Sequence, residues 1–248
     1  MNVKLIEVAD FEELSSAAAA IVEQQVLGNS HSVLGLATGS TPIGLYEKMA
    51  EGCRQRGVSY KNVQTINLDE YRGLGAGHPN SYRSFMNEHL FNAIDIPPAN
   101  THIPDGRAVE VEAECRRYEA LIDRIGPPHL QILGLGTNGH IGFNEPGTPE
   151  NSVTHCVALT DSTRENNARF FASPEEVPTH AITMGIASIL KSRKILLLAS
   201  GAKKAPAVKQ FMEQRITGSF PASFLWKHPD VTLIVDEEAY QLVREKRQ

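Results

Sequence analysis

Short runs of Val, Ile and Leu alternate with helix-like stretches from Val3 to Lys246, and this alternation constrains the fold more than any other feature. Strands are expected at residues 3–8, 32–37, 63–68, 130–133, 155–159, 181–184, 194–199 and 231–235, with a short one near His102. Helices are expected at residues 10–26, from 42 to about 56, and at 80–91, 109–125, 162–171, 202–215 and 237–246. Asp10, with Glu13 three residues on, is a capping box that opens the first helix. Repeated strand–helix units predict an α/β fold with an open, mostly parallel sheet and helices on both faces. No repeat, low-complexity stretch or linker divides residues 1–248, so a single domain is expected. Loops at the carboxyl ends of the strands are where such sheets bind ligands.

One of those loops carries a decoy. Residues 130–149 run from an apolar strand into Gly134, Gly136 and Gly139, which spell G-x-G-x-x-G, the dinucleotide fingerprint. That fingerprint needs a helix opening at its end to hold the pyrophosphate. Gly142, Pro146, Gly147 and Pro149 follow instead, and prolines so closely spaced rule out regular helix. What the loop does hold is Asn138, His140 and Glu145. A carboxylate beside a histidine orients the ring and raises its basicity, so proton transfer fits this loop better than nucleotide binding.

Other classes are excluded on similar grounds. A formal net charge of −5 leaves no basic footprint for nucleic acid. Cys53, Cys115 and Cys156 are scattered and lack C-x-x-C spacing, as expected of reduced thiols in a cytoplasmic protein. No signal peptide is evident, and the apolar run at residues 17–22 is too short to span a membrane. Neither H-E-x-x-H nor G-x-S-x-G occurs, so zinc and serine-hydrolase chemistry are unsupported, and no metal or cofactor is expected.

Two turns suggest a phosphorylated substrate. Thr38-Gly39-Ser40-Thr41-Pro42 links a strand to a helix; Gly39 permits the sharp turn, the hydroxyls can cap, and Pro42 suits the first helical position. Exposed amides at such a start attract an anion. Ser200-Gly201-Ala202-Lys203-Lys204 repeats the pattern with cations added, and Arg169 sits on a predicted helix beyond Arg164. Asp69-Glu70-Tyr71 ends a strand with two carboxylates, which read either as turn and cap residues or as a general base raised by burial.

Five blocks in order resemble one family over nearly the whole chain. They are Gly-Leu-Ala-Thr-Gly-Ser-Thr-Pro at 35–42, Asn-Leu-Asp-Glu-Tyr at 67–71 and His-Pro-Asn-Ser-Tyr at 78–82. Gly-Leu-Gly-Thr-Asn-Gly-His-Ile-Gly-Phe-Asn-Glu-Pro at 134–146 and Thr-Arg-Glu-Asn-Asn-Ala-Arg-Phe-Phe at 163–171 complete the set. The chain resembles the glucosamine-6-phosphate deaminases (isomerising) of the short, non-allosteric type. The neighbouring 6-phosphogluconolactonases share the fold, but the blocks at 69–71 and 139–146 look like the deaminase.

The resemblance implies a Rossmann-like domain that converts glucosamine 6-phosphate to fructose 6-phosphate and ammonia. It implies that His140 opens the pyranose, supported by Asn138 and Glu145, and that Asp69 moves the C2 proton to C1. It further implies that Gly39, Ser40, Thr41, Arg169 and Lys204 bind the phosphate, and that the partner is this small molecule rather than nucleic acid or membrane.

Two departures stand out. Some members carry aspartate where this chain has Asn138, so a lower His140 pKa is expected here than in those relatives. Allosteric members place two basic residues shortly after the catalytic loop, where His155 and Val157 stand here, and the chain stops at Gln248 without their longer tail. A monomer or small homo-oligomer is therefore expected rather than an allosteric hexamer, without activation by N-acetylglucosamine 6-phosphate. A non-catalytic sugar-phosphate sensor would require a helix-turn-helix before the first strand, and none is present in the sequence. Residues 78–91 and 162–177 are alternative candidates for a lid.

Overall fold

The apolar runs build one parallel sheet and supply two strands of a second, smaller one. The computed structural model describes residues 3–168, 171 and 173–245. In chain order the strands are β1 (Val3–Val8), β2 (Val33–Leu36), β3 (Gln64–Asn67), β4 (Asp69–Tyr71) and β5 (Thr101–His102), then β6 (Leu130–Gly134), β7 (His155–Ala158), β8 (His180–Thr183), β9 (Ile195–Ala199) and β10 (Val231–Asp236). The large sheet is ordered β1-β10-β9-β6-β2-β3-β5, and every pairing in it is parallel. Every residue of β9 is buried, which explains its unbroken Ile-Leu-Leu-Leu-Ala run, because an inner strand of a covered parallel sheet has no polar face.

Strand order places the site. From β2 the chain moves outward through β3 to β5, whereas from β6 it moves the other way through β9 and β10. The direction of winding therefore reverses between β2 and β6, and such a reversal opens a crevice at the carboxyl ends of the two strands. The hydroxyl-rich turn leaves β2 and the glycine loop leaves β6, so both flank that crevice.

The helices follow from local signals. In α1 (Phe11–Gly28), Asp10 accepts the Glu13 amide at 2.9 Å as the expected cap, whereas Glu13 accepts the Ala9 amide at 3.0 Å, one residue before the cap, rather than the Asp10 amide of a full capping box. Leu14, Ala18, Val22 and Val26 form its buried stripe, and it packs against α2 (Ile43–Gln55) and β10. Next come α3 (Tyr82–His89) and α4 (Val111–Ile125), where Tyr118 donates to the Asn67 carbonyl at 2.7 Å and so packs the helix against the end of β3. The remainder are α5 (Asp161–Asn167), α6 (Ile186–Leu190), α7 (Ala205–Met212) and α8 (Glu237–Glu245). No helix among the described residues is long and apolar enough to cross a membrane.

The fold departs from expectation chiefly in its second sheet. The strands expected at 155–159 and 181–184 are present, but β8 pairs antiparallel with β4 and β7 with β8, in the order β4-β8-β7, apart from the large sheet. Leu68 joins the two sheets. Its amide donates to Leu36 O at 3.0 Å, and its carbonyl accepts from Met184 N at 2.7 Å. Asp69 and Glu70 thus begin a strand of the second sheet rather than ending a strand of the first. Helical boundaries also moved: residues 202–204 form a 3-10 turn ahead of α7, and α6 and the 3-10 helix Pro221–Lys227 were not anticipated.

Candidate active site

The loop after β6 turns back on itself without forming a helix, since the Gly136 amide donates to the His140 carbonyl at 2.9 Å. A Cβ on Gly136 would lie 2.4 Å from Cγ and Nδ1 of His140, so only glycine lets the ring rest there. The Asn138 Nδ2 group donates to Glu145 Oε2 at 2.6 Å, which leaves Asn138 Oδ1 facing His140 Nδ1 at 2.7 Å. An amide oxygen only accepts, so Nδ1 must carry the proton and Nε2 is left as the basic nitrogen. Glu145 itself stands 3.8 Å from Nδ1. The sequence reading paired His140 with Glu145 directly; instead Asn138 bridges them. Burial holds the His140 pKa below its ordinary value; Glu145 works against that shift and Lys204 adds to it.

Asp69 and Glu70 are adjacent and have different jobs. Glu70 accepts the amides of Tyr71 at 2.8 Å, Tyr82 at 2.9 Å and Arg83 at 3.1 Å, so it anchors the first turn of α3. Among the described residues no hydrogen bond reaches the Asp69 carboxylate. It is only 5% exposed, and burial, with Glu70 adding to it, pushes its pKa up to about 8. A Cβ on Gly142 would lie 3.5 Å from Asp69 Oδ2, so the glycine loop passes directly over this carboxylate. Across the second sheet, Thr183 is paired with Asp69 and accepts the Phe143 amide at 3.2 Å, which ties the loop to the strand that carries Asp69.

The geometry of the turns at residues 38–42 and 200–204 is partly as expected. Gly39 takes a φ of 94°, the left-handed turn anticipated for it. Pro42 is the N-cap rather than the first helical residue, and no side chain caps α2. The hydroxyls of Ser40 and Thr41 are therefore not used as caps. In the second turn, Asp236 takes the Gly201 amide at 3.0 Å and the Ser200 hydroxyl, and Glu238 takes the Ala202 amide at 3.2 Å. Those amides are spent on the protein, contrary to the sequence reading, and the turn contributes Lys204. Lys204 Nζ donates to Leu135 O at 2.6 Å at the mouth of the glycine loop, and burial lowers its pKa. Arg169 lies outside the described residues.

Sequence reasoning gave no role to Tyr82 or Phe143, whose rings stack at 6.2 Å and pack α3 against the glycine loop. Both sit inside the matching blocks, which was the available signal. Among the described residues no group of three or more His, Cys, Asp or Glu side chains is arranged to hold a metal ion.

A family described as glucosamine-6-phosphate isomerases/6-phosphogluconolactonase matches residues 9–234. The chain belongs to the glucosamine-6-phosphate isomerase/6-phosphogluconolactonase family. Glucosamine-6-phosphate deaminase of Geobacillus sp. (strain WCH70) is 57% identical over 244 residues, covering 98% of this chain and 97% of the relative. Glucosamine-6-phosphate deaminase 1 of Bacillus subtilis (strain 168) is 49% identical over 239 residues, covering 96% and 99%. The solved structure of a monomeric glucosamine-6-phosphate deaminase superposes with a TM-score of 0.95 at 49% identity, covering 96% of this chain and 99% of that one. The 6-phosphogluconolactonase of Trypanosoma brucei, at 19% identity and a TM-score of 0.77 over 97% of this chain and 98% of that one, shares the fold.

Within this family fold the bridging amide has a measurable consequence. Asn138→Asp places a charge against Nδ1, so His140 should titrate about one pH unit or more higher than in the wild type. An NMR titration of the His140 ring checks this, and an unchanged midpoint would count against the bridge.

Proposed function

We propose that this chain is a glucosamine-6-phosphate deaminase, converting glucosamine 6-phosphate and water to fructose 6-phosphate and ammonia. The observation that carries the reading is a buried carboxylate, Asp69, lying under a loop that presents a histidine with a free Nε2, in a chain 57% identical to a named deaminase. In this reading the Nε2 of His140 moves the proton that passes between the anomeric hydroxyl and the ring oxygen, opening the pyranose. Asn138 and Glu145 keep the ring aimed. The open-chain aldehyde is scarce in solution, so forming it on the enzyme avoids a population penalty.

Asp69 then removes the C2 proton, giving an enolamine, and returns a proton to C1. The resulting imine at C2 adds water and expels ammonia. Each step is a proton transfer or a water addition, so the chemistry calls for no redox or group-carrying cofactor. A general base with a raised pKa suits the C2 step, because a more basic carboxylate drives proton removal further.

Gly39, Ser40, Thr41 and Lys204, with Arg169, are the proposed phosphate contacts. Lys204→Met should raise KM about tenfold or more while lowering kcat far less, as expected when binding common to ground and transition states is lost. Steady-state kinetics read this, and an unchanged KM would remove Lys204 from the phosphate site. The chain is further proposed to work as a single cytoplasmic domain, monomeric like the enzyme of the solved structure and without allosteric activation.

The distant lactonases share the fold, so the deciding experiment offers the purified protein both substrates. Ammonia release from glucosamine 6-phosphate is expected, with hydrolysis of 6-phosphogluconolactone no faster than the uncatalysed rate. Lactone hydrolysis without ammonia release would reverse the assignment, and activity on neither would leave a sugar-phosphate sensor.

A further inference from the structure

Thr163 sits on α5, remote in sequence from the glycine loop, yet its hydroxyl donates to Glu145 Oε1 at 2.6 Å. We infer that Thr163 is a positioning residue for ring opening: it fixes the Glu145 carboxylate so that one oxygen holds Asn138 and neither turns onto His140. This rests on the deaminase reading for its effect on turnover, but not for its effect on His140 itself.

The hydrogen-bond geometry runs in one direction. Glu145 is 8% exposed, and each of its oxygens is claimed by a different donor, Asn138 Nδ2 on Oε2 and Thr163 Oγ1 on Oε1, both at 2.6 Å. Behind Thr163, the Thr160 hydroxyl donates to Thr163 Oγ1 at 2.9 Å, and Thr160 Oγ1 accepts the Thr163 amide at 3.2 Å as the cap of α5. The oxygen held by Thr163 is also the one 3.8 Å from His140 Nδ1. Thr163 and His140 therefore compete for Oε1, and the hydroxyl holds it. Among the described residues, the charged groups acting on His140 are Glu145 on its own loop and Lys204 on the turn after β9.

Removing the hydroxyl leaves a buried carboxylate oxygen without its donor, an arrangement that costs the full desolvation of that group. His140 Nδ1, 3.8 Å from that oxygen, is a replacement donor. Rotation toward it draws the carboxylate closer to the imidazole, favours the charged ring, and pulls on the Asn138 amide that aims it. Thr163→Val should therefore raise the His140 titration midpoint, because a nearer negative charge stabilises imidazolium.

The test is an NMR titration of the His140 ring in wild type, Thr163→Val and Thr163→Ser, alongside kcat and KM for glucosamine 6-phosphate. The expected results are a midpoint about half a pH unit or more higher in Thr163→Val and close to wild type in Thr163→Ser, which keeps the donor. In Thr163→Val, kcat should fall about tenfold with KM little changed. If Thr163→Val does not fold, Thr163→Ala lacks the same donor and carries the same expectation. An unmoved His140 midpoint overturns the inference even if activity falls, since the loss would then be structural. The titration uses no substrate, so it stands or falls separately from ammonia release.

Discussion

Asp69→Asn should give a folded protein that is more stable than wild type at alkaline pH and turns over glucosamine 6-phosphate about 10²–10⁴ times more slowly. The loss of rate follows because an amide cannot accept the C2 proton, and among the described residues the other buried carboxylates are held by hydrogen bonds. Glu70 is adjacent, but its oxygens are occupied by three backbone amides.

The gain in stability follows from the same burial that makes Asp69 basic. An aspartate raised from 3.8 to about 8 binds its proton in the folded state where the unfolded chain has released it. Stability contributed by that proton is present at low pH and is lost as pH rises from about 4 through about 8. At about 1.4 kcal/mol per unit, the advantage of Asp69→Asn should widen by about 2–4 kcal/mol between pH 5 and pH 8. Urea unfolding at the two pH values measures it, and a gap that does not change with pH would mean that Asp69 is not raised. By the same titration, kcat/KM of the wild type should climb with pH through about 8, where the base becomes ionised.

His140→Gln should also lose about 10²–10⁴-fold in kcat/KM, but less than Asp69→Asn. Pyranoses open unaided in water, and general bases in the buffer speed that opening, whereas removal of the C2 proton has no comparable route. Turnover by His140→Gln should therefore increase with buffer concentration, while Asp69→Asn should not respond. Loss of buffer dependence in His140→Gln would place His140 outside ring opening. The prediction depends on the tautomer that Asn138 enforces, since only a ring with its proton on Nδ1 offers Nε2 to the sugar.

These sites were legible in the sequence to different depths. Where the signal is local, as with the Asp10 cap or Gly39, it survived because the groups involved lie within a few residues of one another. The strands at 155–158 and 180–183 were readable as strands, but apolar patterning does not say which strand a partner is. That is why the second sheet, and the change of sheet at Leu68 that buries Asp69, emerged only from the fold.

Long-range hydrogen bonds were hidden for the same reason. Asn138 and Glu145 are on one loop and could be grouped by eye, yet their order, with the amide between His140 and the carboxylate, depends on rotamers. The Thr163 hydroxyl arrives from another element altogether. The amides of residues 201 and 202 looked free in sequence, but Asp236 and Glu238 reach them from the end of β10 and the start of α8.

One site is predicted both to isomerise the sugar and to release its nitrogen, with Asp69 as the base. The measurement that tests it most directly is the simultaneous assay of ammonia and fructose 6-phosphate from glucosamine 6-phosphate, in wild type and Asp69→Asn. Equal amounts of the two products from the wild type, falling together in the mutant, are predicted. Fructose 6-phosphate without ammonia, or wild-type turnover in Asp69→Asn, would contradict it.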